Sequence, residues 1–269
     1  MLPASRIADE IITFDMPGDT DLFAELFASV SWEDVGKGRR GAVLAGIDEA
    51  NGVPLVRTTT QYGSPAQRFQ AVHERLAQQI QERLTHSVGF NNALIETYTN
   101  AYTTMGSHCD QALDLADESF IAVFSCYQYP DVRPLRKLVV ESKGSDGNRL
   151  HIPLAHNGVV AFSVASNRRL KHEIVLDAPL QADNQWLGMT FRTSKTMVRY
   201  RDGQPYLPSG AQLTSADDDQ RREFYRLRRR ENNETDFTYP DLAYTVSAGD
   251  LTPPVLIMRG AARFCVSSA

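Results

Sequence analysis

Asn157-Gly158-Val159-Val160-Ala161-Phe162-Ser163-Val164, then the polar turn Ala165 to Arg169, then His172-Glu173-Ile174-Val175-Leu176, is the stretch on which the fold turns. A glycine-led run of β-branched and aromatic residues, too short for a helix and bounded by turn residues, reads as a buried strand. The second run reads as its return strand. Working outward, the same pattern recurs at Ala93 to Tyr98, Ser119 to Cys126, Arg136 to Ser142, Arg149 to Leu154, Trp186 to Arg192 and Thr196 to Tyr200. With Gly158 to Val164 and His172 to Leu176 these make eight runs within about 110 residues, which predicts a barrel or a two-sheet jelly roll.

Helical signals lie on either side. Ile11 to Met16 reads as a strand closed by Pro17-Gly18-Asp19, and Leu22, Phe23, Leu26, Phe27 and Val30 recur at helical spacing behind an N-cap at Asp19 or Thr20. Gly36 to Arg40 reads as a basic, Gly-rich loop, Gly46 to Pro54 as a turn, and Leu55 to Tyr62 as a strand. Ser64-Pro65 predicts a helix start. Phe69, Val72, Leu76, Ile80 and Leu84 then form one apolar stripe, with His73 and His86 toward solvent. Late in the chain, Ser215-Ala216-Asp217-Asp218 has capping-box spacing ahead of a helix through Phe224, Tyr225 and Leu227. Its run Arg221, Arg222, Arg226, Arg228, Arg229, Arg230 reads as a solvated face, with a polyanion contact as the alternative. The tail from Asn232, with its apolar piece Val255 to Met258, reads as a wrapped extension or an edge strand. Helices precede strands, so the class is α+β with a β core. One domain is expected over 1–269, its core at about 55–200 and a C-terminal helical extension at 201–269.

Composition narrows the classes. No run approaches the roughly 18 apolar residues of a membrane span, and acids stand where a secretory signal carries its apolar core, so a cytoplasmic location is expected. Three cysteines, Cys109, Cys126 and Cys265, are too few and odd in number for a disulfide framework. A net charge of −5 provides no global attraction to phosphate backbones. Phosphate-binding glycine loops, Cys-x-x-Cys pairs and nucleophile elbows are absent from the sequence.

His108-Cys109-Asp110, within Thr104-Met105-Gly106-Ser107-His108-Cys109-Asp110, supplies the chemistry. On extended backbone, alternate side chains share a face, so an imidazole and a carboxylate point the same way while Cys109 turns aside. A non-haem Fe(II) centre needs one more imidazole and leaves its other positions open. Of the six histidines, His172 at the start of the return strand is the best placed; the alternative is that these are core or surface histidines.

Phe90-Asn91-Asn92-Ala93-Leu94-Ile95-Glu96-Thr97-Tyr98, the run Met105 to Asp110, Ser119 to Ser125, Gly158 to His172 and Met189-Thr190-Phe191-Arg192 stand in an order that resembles the AlkB-type family of Fe(II)/2-oxoglutarate dioxygenases. The resemblance spans roughly residues 55–200. It implies a double-stranded β-helix (jelly-roll) core, iron held by His108, Asp110 and His172, and 2-oxoglutarate and O2 as co-substrates, with Tyr98 and Arg192 contacting 2-oxoglutarate. The chain departs from the family in the clamp. Glu96 stands where the family has Asn, Trp186 where it has a second Arg, and Gly188 where it has another Asn. Arg192-Thr193-Ser194 offers an Arg-x-Ser clamp instead, making Ser194 a further cofactor candidate, with Lys195 and Arg199 as reserve cations.

The expected activity is oxidation of a substrate C–H, as hydroxylation or oxidative demethylation. The acidic balance and altered clamp favour a small molecule over an alkylated nucleic-acid base, and a membrane partner is not expected. Val56 to Tyr62, with Gln61 and Tyr62 as candidate substrate contacts, sits where a lid would form. A catalytically silent ligand-binding barrel is the reading from outside the enzyme class.

Overall fold

The computed structural model describes residues 7–17, 22–84, 89–133, 135–144, 148–176 and 184–257. In chain order the elements are β1 Ile11–Asp15, α1 Leu22–Phe27, β2 Glu33–Gly36, β3 Arg39–Ala45, β4 Val53–Leu55, β5 Gln67–Arg68, α2 Ala71–Arg83, β6 Asn92–Tyr98, β7 Thr104–His108 and β8 Phe120–Tyr127. Then come β9 Lys137–Ser142, β10 Arg149–Pro153, β11 Gly158–Ser163, α3 Val164–Arg169, β12 Leu170–Val175, β13 Trp186–Arg192, β14 Thr196–Arg201, β15 Gln204–Tyr206 and α4 Asp218–Glu231.

The strands sort into two principal antiparallel sheets. The larger runs β1-β11-β8-β13-β6-β3-β2, with short β5 pairing β3 in parallel, and the smaller runs β10-β9-β12-β7. From β6 to β13 the chain interleaves them: β6, β8, β11 and β13 go to the large sheet, β7, β9, β10 and β12 to the small one. Tyr98, Tyr127, Val160 and Trp186 from the large sheet share one apolar cluster with Leu138, Val140, Leu170 and Ile174 from the small sheet. On its other face, the large sheet packs Ile95, Phe124, Met189 and Phe191 against Leu26 of α1 and Leu76 and Ile80 of α2. Burial on both faces explains why β6 and β8 read as near-continuous apolar runs rather than alternating ones. The small sheet keeps one face wet, and β10 alternates accordingly.

Several expectations are corrected. Arg39 to Ala45 is a strand beside β6, not part of a loop; only Gly36 to Gly38 turns, at positive φ. The large sheet therefore begins with β1 and takes in β2 and β3, well upstream of residue 55. Extended pairing at Leu55 to Tyr62 stops at Leu55, and Ser64-Pro65 starts no helix, because β5 intervenes. The helix begins at Ala71, where the Gln70 and His73 side chains form the capping box. His73 is fully buried rather than solvated: its ring accepts from the Gln70 N–H at 3.0 Å and donates to Ser29 Oγ at 2.7 Å. The polar turn after β11 is the six-residue helix α3, capped by Ser163. At α4 the cap is Asp217 with Gln220, two residues later than Ser215 predicts. The apolar end of the tail meets the body at Val255, which bridges Gln67 in parallel, while Leu256 is exposed. The expected caps Asp19 and Thr20, and also His86, Met258 and Cys265, lie outside the described residues. Cys109 and Cys126 are both fully buried. Among the described residues, no helix is long and apolar enough to cross a membrane.

Candidate metal centre and active site

The centre is assembled where β7 meets β12. These strands pair antiparallel with His108 opposite His172, so their rings face each other with centroids 4.7 Å apart. Strand geometry ends at His108. Asp110 nevertheless returns to the same side, its Oδ1 3.9 Å from His108 Nε2 and 3.5 Å from His172 Nε2. One donor atom from each of the three residues lies within 4.8 Å of the other two.

Protonation is arranged for a cation. His108 Nδ1 is 2.7 Å from the Gly106 carbonyl, which can only accept, so the proton sits on Nδ1 and Nε2 presents its lone pair. Burial, aided by the neighbouring His108, pushes His172 down to about 3, so its imidazole is neutral at ordinary pH. Burial raises the Asp110 carboxyl, but Arg192, His172 and His108 outweigh it and hold it well below the usual carboxylate range. Arg192 Nε donates to Asp110 Oδ2 at 2.7 Å.

The backbone between the ligands is gripped from two helices. Asn167 of α3 accepts from the Asp110 N–H and donates to the Asp110 carbonyl, both at 2.8 Å. Arg228 of α4 donates to the Cys109 carbonyl at 2.8 Å, and Asn232, the α4 C-cap, accepts from the Cys109 N–H at 3.0 Å. Arg228 is thus no member of a solvated face; it is buried and ion-paired with Glu231. Glu231 also accepts from the Ala112 N–H at 2.8 Å.

A cavity of about 280 Å3 opens beside the triad. His108, Asp110, His172 and Arg192 line it, as do Leu94 and Glu96 of β6, Val123, Leu138 and Ile174, and Trp186, Gly188 and Thr190 of β13. Val56, Arg57 and Thr58 to Thr60 add a further wall, so part of the expected lid segment does border the cavity. Four buried polar atoms on its walls have no hydrogen-bond partner: Arg192 Nη1, Arg228 Nε and both ends of the Gln111 amide.

No family model matches the sequence, and no curated protein matches it. Among solved structures, one similar chain is the crystal structure of an oxidoreductase of the 2OG-Fe(II) oxygenase family from Burkholderia pseudomallei. It is 13% identical, with a TM-score of 0.42, over 70% of this chain and 90% of that one. At that level the likeness decides neither fold nor chemistry.

The other candidate residues lie apart from the cavity wall. Tyr98 is fully buried behind it, its hydroxyl donating to Glu96 Oε2 at 2.7 Å and its ring 4.8 Å from Trp186. Ser194 donates to the Leu55 carbonyl and receives the Thr196 N–H. Gln61 donates to the Tyr225 hydroxyl at 2.9 Å, and buried Tyr62 donates to Glu96 Oε1 at 3.2 Å. Lys195 pairs with Asp117, and Arg199 donates to the Ala50 carbonyl.

Sequence reasoning missed Arg39, Arg57, Gln111, Asn167, Arg228 and Asn232. Arg39 enters from β3 and forms an ion pair with Glu96 across strands, also donating to Thr60 Oγ1 at 2.9 Å. Burial pushes the Arg39 guanidinium down, but the Glu96 charge outweighs it and holds the group above its ordinary value. Arg57 is paired with Asp114 and donates to the Leu242 and Tyr244 carbonyls, tying the cavity rim to the C-terminal extension. The unexpected acid at position 96 is thus neutralised by a partner 57 residues upstream. That separation is why the pair is invisible to local pattern.

Proposed function

We propose that this chain is a non-haem Fe(II) oxygenase that consumes a 2-oxo acid and O2 to oxidise a C–H bond of a small molecule. It is read as one domain over 1–269, on a double-stranded β-helix of AlkB type. The interleaving of β6 to β13 between two facing sheets supports that fold reading. The observation that carries the function is the face made by His108 Nε2, His172 Nε2 and an Asp110 held as carboxylate. Two neutral imidazoles and one carboxylate with open positions suit Fe(II) better than a closed structural zinc site.

When bound, such an iron centre supplies oxygen chemistry in which the 2-oxo acid loses CO2 to become an acid one carbon shorter. One atom of O2 enters that acid and the other the substrate, giving an alcohol, or demethylation when the oxidised carbon sits on nitrogen. The protein's own residues position and exclude. Arg192, with Nη1 unpartnered beside Asp110, is placed to take a carboxylate next to the metal. Leu94, Val123, Leu138 and Ile174 keep the opposite walls apolar. The 2-oxoglutarate implied by the sequence fits this cavity at one end. At the other, Trp186 and the Arg39–Glu96 pair leave its second carboxylate without an unmatched cation.

A small substrate is favoured over a nucleic acid because the cavity arginines Arg39, Arg57 and Arg228 are each matched by an acid. Salt-insensitive turnover is expected; binding to alkylated oligonucleotides that weakens steeply with salt would favour base repair instead. The primary test is anaerobic. Adding Fe(II) and 2-oxo acids should produce a metal-to-ligand absorption band, absent in His172→Ala. A protein that binds Fe(II) but develops no band with any 2-oxo acid overturns the oxygenase reading.

A further inference from the structure

The cavity is chemically lopsided along β13. Arg192 stands at one end of that strand and Trp186 at the other, paired with Asn92 and Tyr98 of β6 respectively. The Trp186 indole folds back over Gly188, where a Cβ would collide with the ring. Its edge therefore reaches a position four residues, or about 13 Å of strand, from Arg192. Trp186 Nε1 is already used, donating to Ser125 Oγ at 2.6 Å.

All the unpartnered buried polar atoms of the cavity gather at the metal end. Arg192 Nη1 belongs to the residue bonded to Asp110, Gln111 follows Asp110, and Arg228 holds the Cys109 carbonyl. Once a divalent ion shares the Asp110 charge, the ion and Arg192 together leave this end net positive. The far end has the opposite character. Glu96 lies there across from Gly188 on one side and Gly41 on the other. Tyr62 fills the space over Gly41. The Glu96 carboxylate takes Arg39 and the Tyr62 hydroxyl on Oε1 and the Tyr98 hydroxyl on Oε2, so the cluster enters the wall with no net charge. Trp186, Leu138 and Ile174 share one apolar cluster with Tyr98 there, and Leu94 and Val123 line the wall opposite Thr190, midway toward Arg192.

We propose that this far end receives an uncharged tail, so that the co-substrate is a 2-oxo acid with a single carboxylate and an apolar side chain rather than 2-oxoglutarate. The proposal rests on the oxygenase reading and names the class of acid that serves it. A second carboxylate carried to the far end would shed its water against an indole, beside an acid, with no unmatched cation to receive it. An aliphatic or aromatic tail loses nothing there and gains contact with Trp186.

The sequence has two tryptophans, Trp32 and Trp186. A Trp32→Phe protein loaded with Mn(II) therefore reports far-end occupancy through the emission of Trp186 alone, without turnover. Titration with phenylpyruvate and 2-oxoisocaproate should change that emission, with affinities about tenfold or more above that of 2-oxoglutarate. In Trp186→Arg, read by the anaerobic Fe(II) absorption band, the order should reverse. If that variant does not fold, the preference measured on the parent decides. Equal or tighter binding of 2-oxoglutarate by the parent overturns the proposal and leaves the oxygenase reading in place. Metal binding with no 2-oxo acid bound overturns both.

Discussion

Asp110 keeps its charge in a buried setting because Arg192 sits against it, and the two together set how the centre competes with protons. Replacing Arg192 with Met removes the leading charge that opposes desolvation, so the proton affinity of Asp110 rises. Metal and proton compete for the same oxygen, and the pH midpoint of Mn(II) binding should move upward in R192M. Equilibrium dialysis across a pH series measures it; an unchanged midpoint would show that the two imidazoles, not Arg192, hold the carboxylate ionised. His108 needs no such help, since the Gly106 carbonyl fixes its tautomer.

At the scale of elements, the ligand loop is shaped by helices that contribute no ligand. Asn232→Ala leaves the Cys109 N–H without its acceptor and frees the backbone between the two ligands. Metal affinity should drop by about 10- to 100-fold, as for other partners that orient ligands, while helix content by circular dichroism stays at the parental level. Arg228→Ala acts through stability. It strands the buried Glu231 carboxylate, and urea unfolding should show a loss of about 3–5 kcal/mol, partly recovered by adding Glu231→Gln.

The same scale shows what the sequence could disclose. All eight strands from β6 to β14 that lie on apolar runs were readable: β6, β8, β11 and β13 because burial on both faces of the large sheet leaves a mark in composition, and β9, β10, β12 and β14 because short or alternating apolar runs stand between turn residues. Strand β7 carries no apolar run and was readable only through His108. Strand β3 was not readable, since Gly36, Gly38, Arg39, Arg40 and Gly41 look like a loop until Arg39 is seen to meet Glu96 and Gly41 to make room for Tyr62. Arg228 stands among five other arginines, and nothing local separates the buried one from the solvated ones. His73 has polar neighbours because it closes a helix N-terminus, a role that also buries it.

Over the whole molecule, two buried groups remote from the centre give stability opposite pH dependences. Burial pushes His73 down from 6.5 to about 4, so its contribution is fully present above pH 6.5 and is lost as pH falls through 4. Burial pushes Asp250 up from 3.8 to about 7, despite the Thr245 hydroxyl that donates to it. Its contribution is full below pH 3.8 and is lost as pH rises through 7. Thermal melting should therefore show Asp250→Asn gaining on the parent as pH climbs from 4 to 7. Over the acid part of that range His73→Gln should lose ground to the parent as pH climbs. Parallel curves for both variants would contradict the assignment. The two-sheet architecture was readable at this scale because it depends on many strands at once, whereas the clamp on the ligand loop depends on single side chains far apart in the chain.

Arg228 follows Cys109 by 119 residues. At about 5–20 residues per second of synthesis, the loop between the ligands exists for about 6 to 24 seconds before the helix that holds it has been made. His172 is made within that interval, so all three donors precede their clamp. Metal loading of a nascent chain is therefore expected to be weak and reversible until α4 docks, which makes acquisition of a metal a late step in the life of the polypeptide.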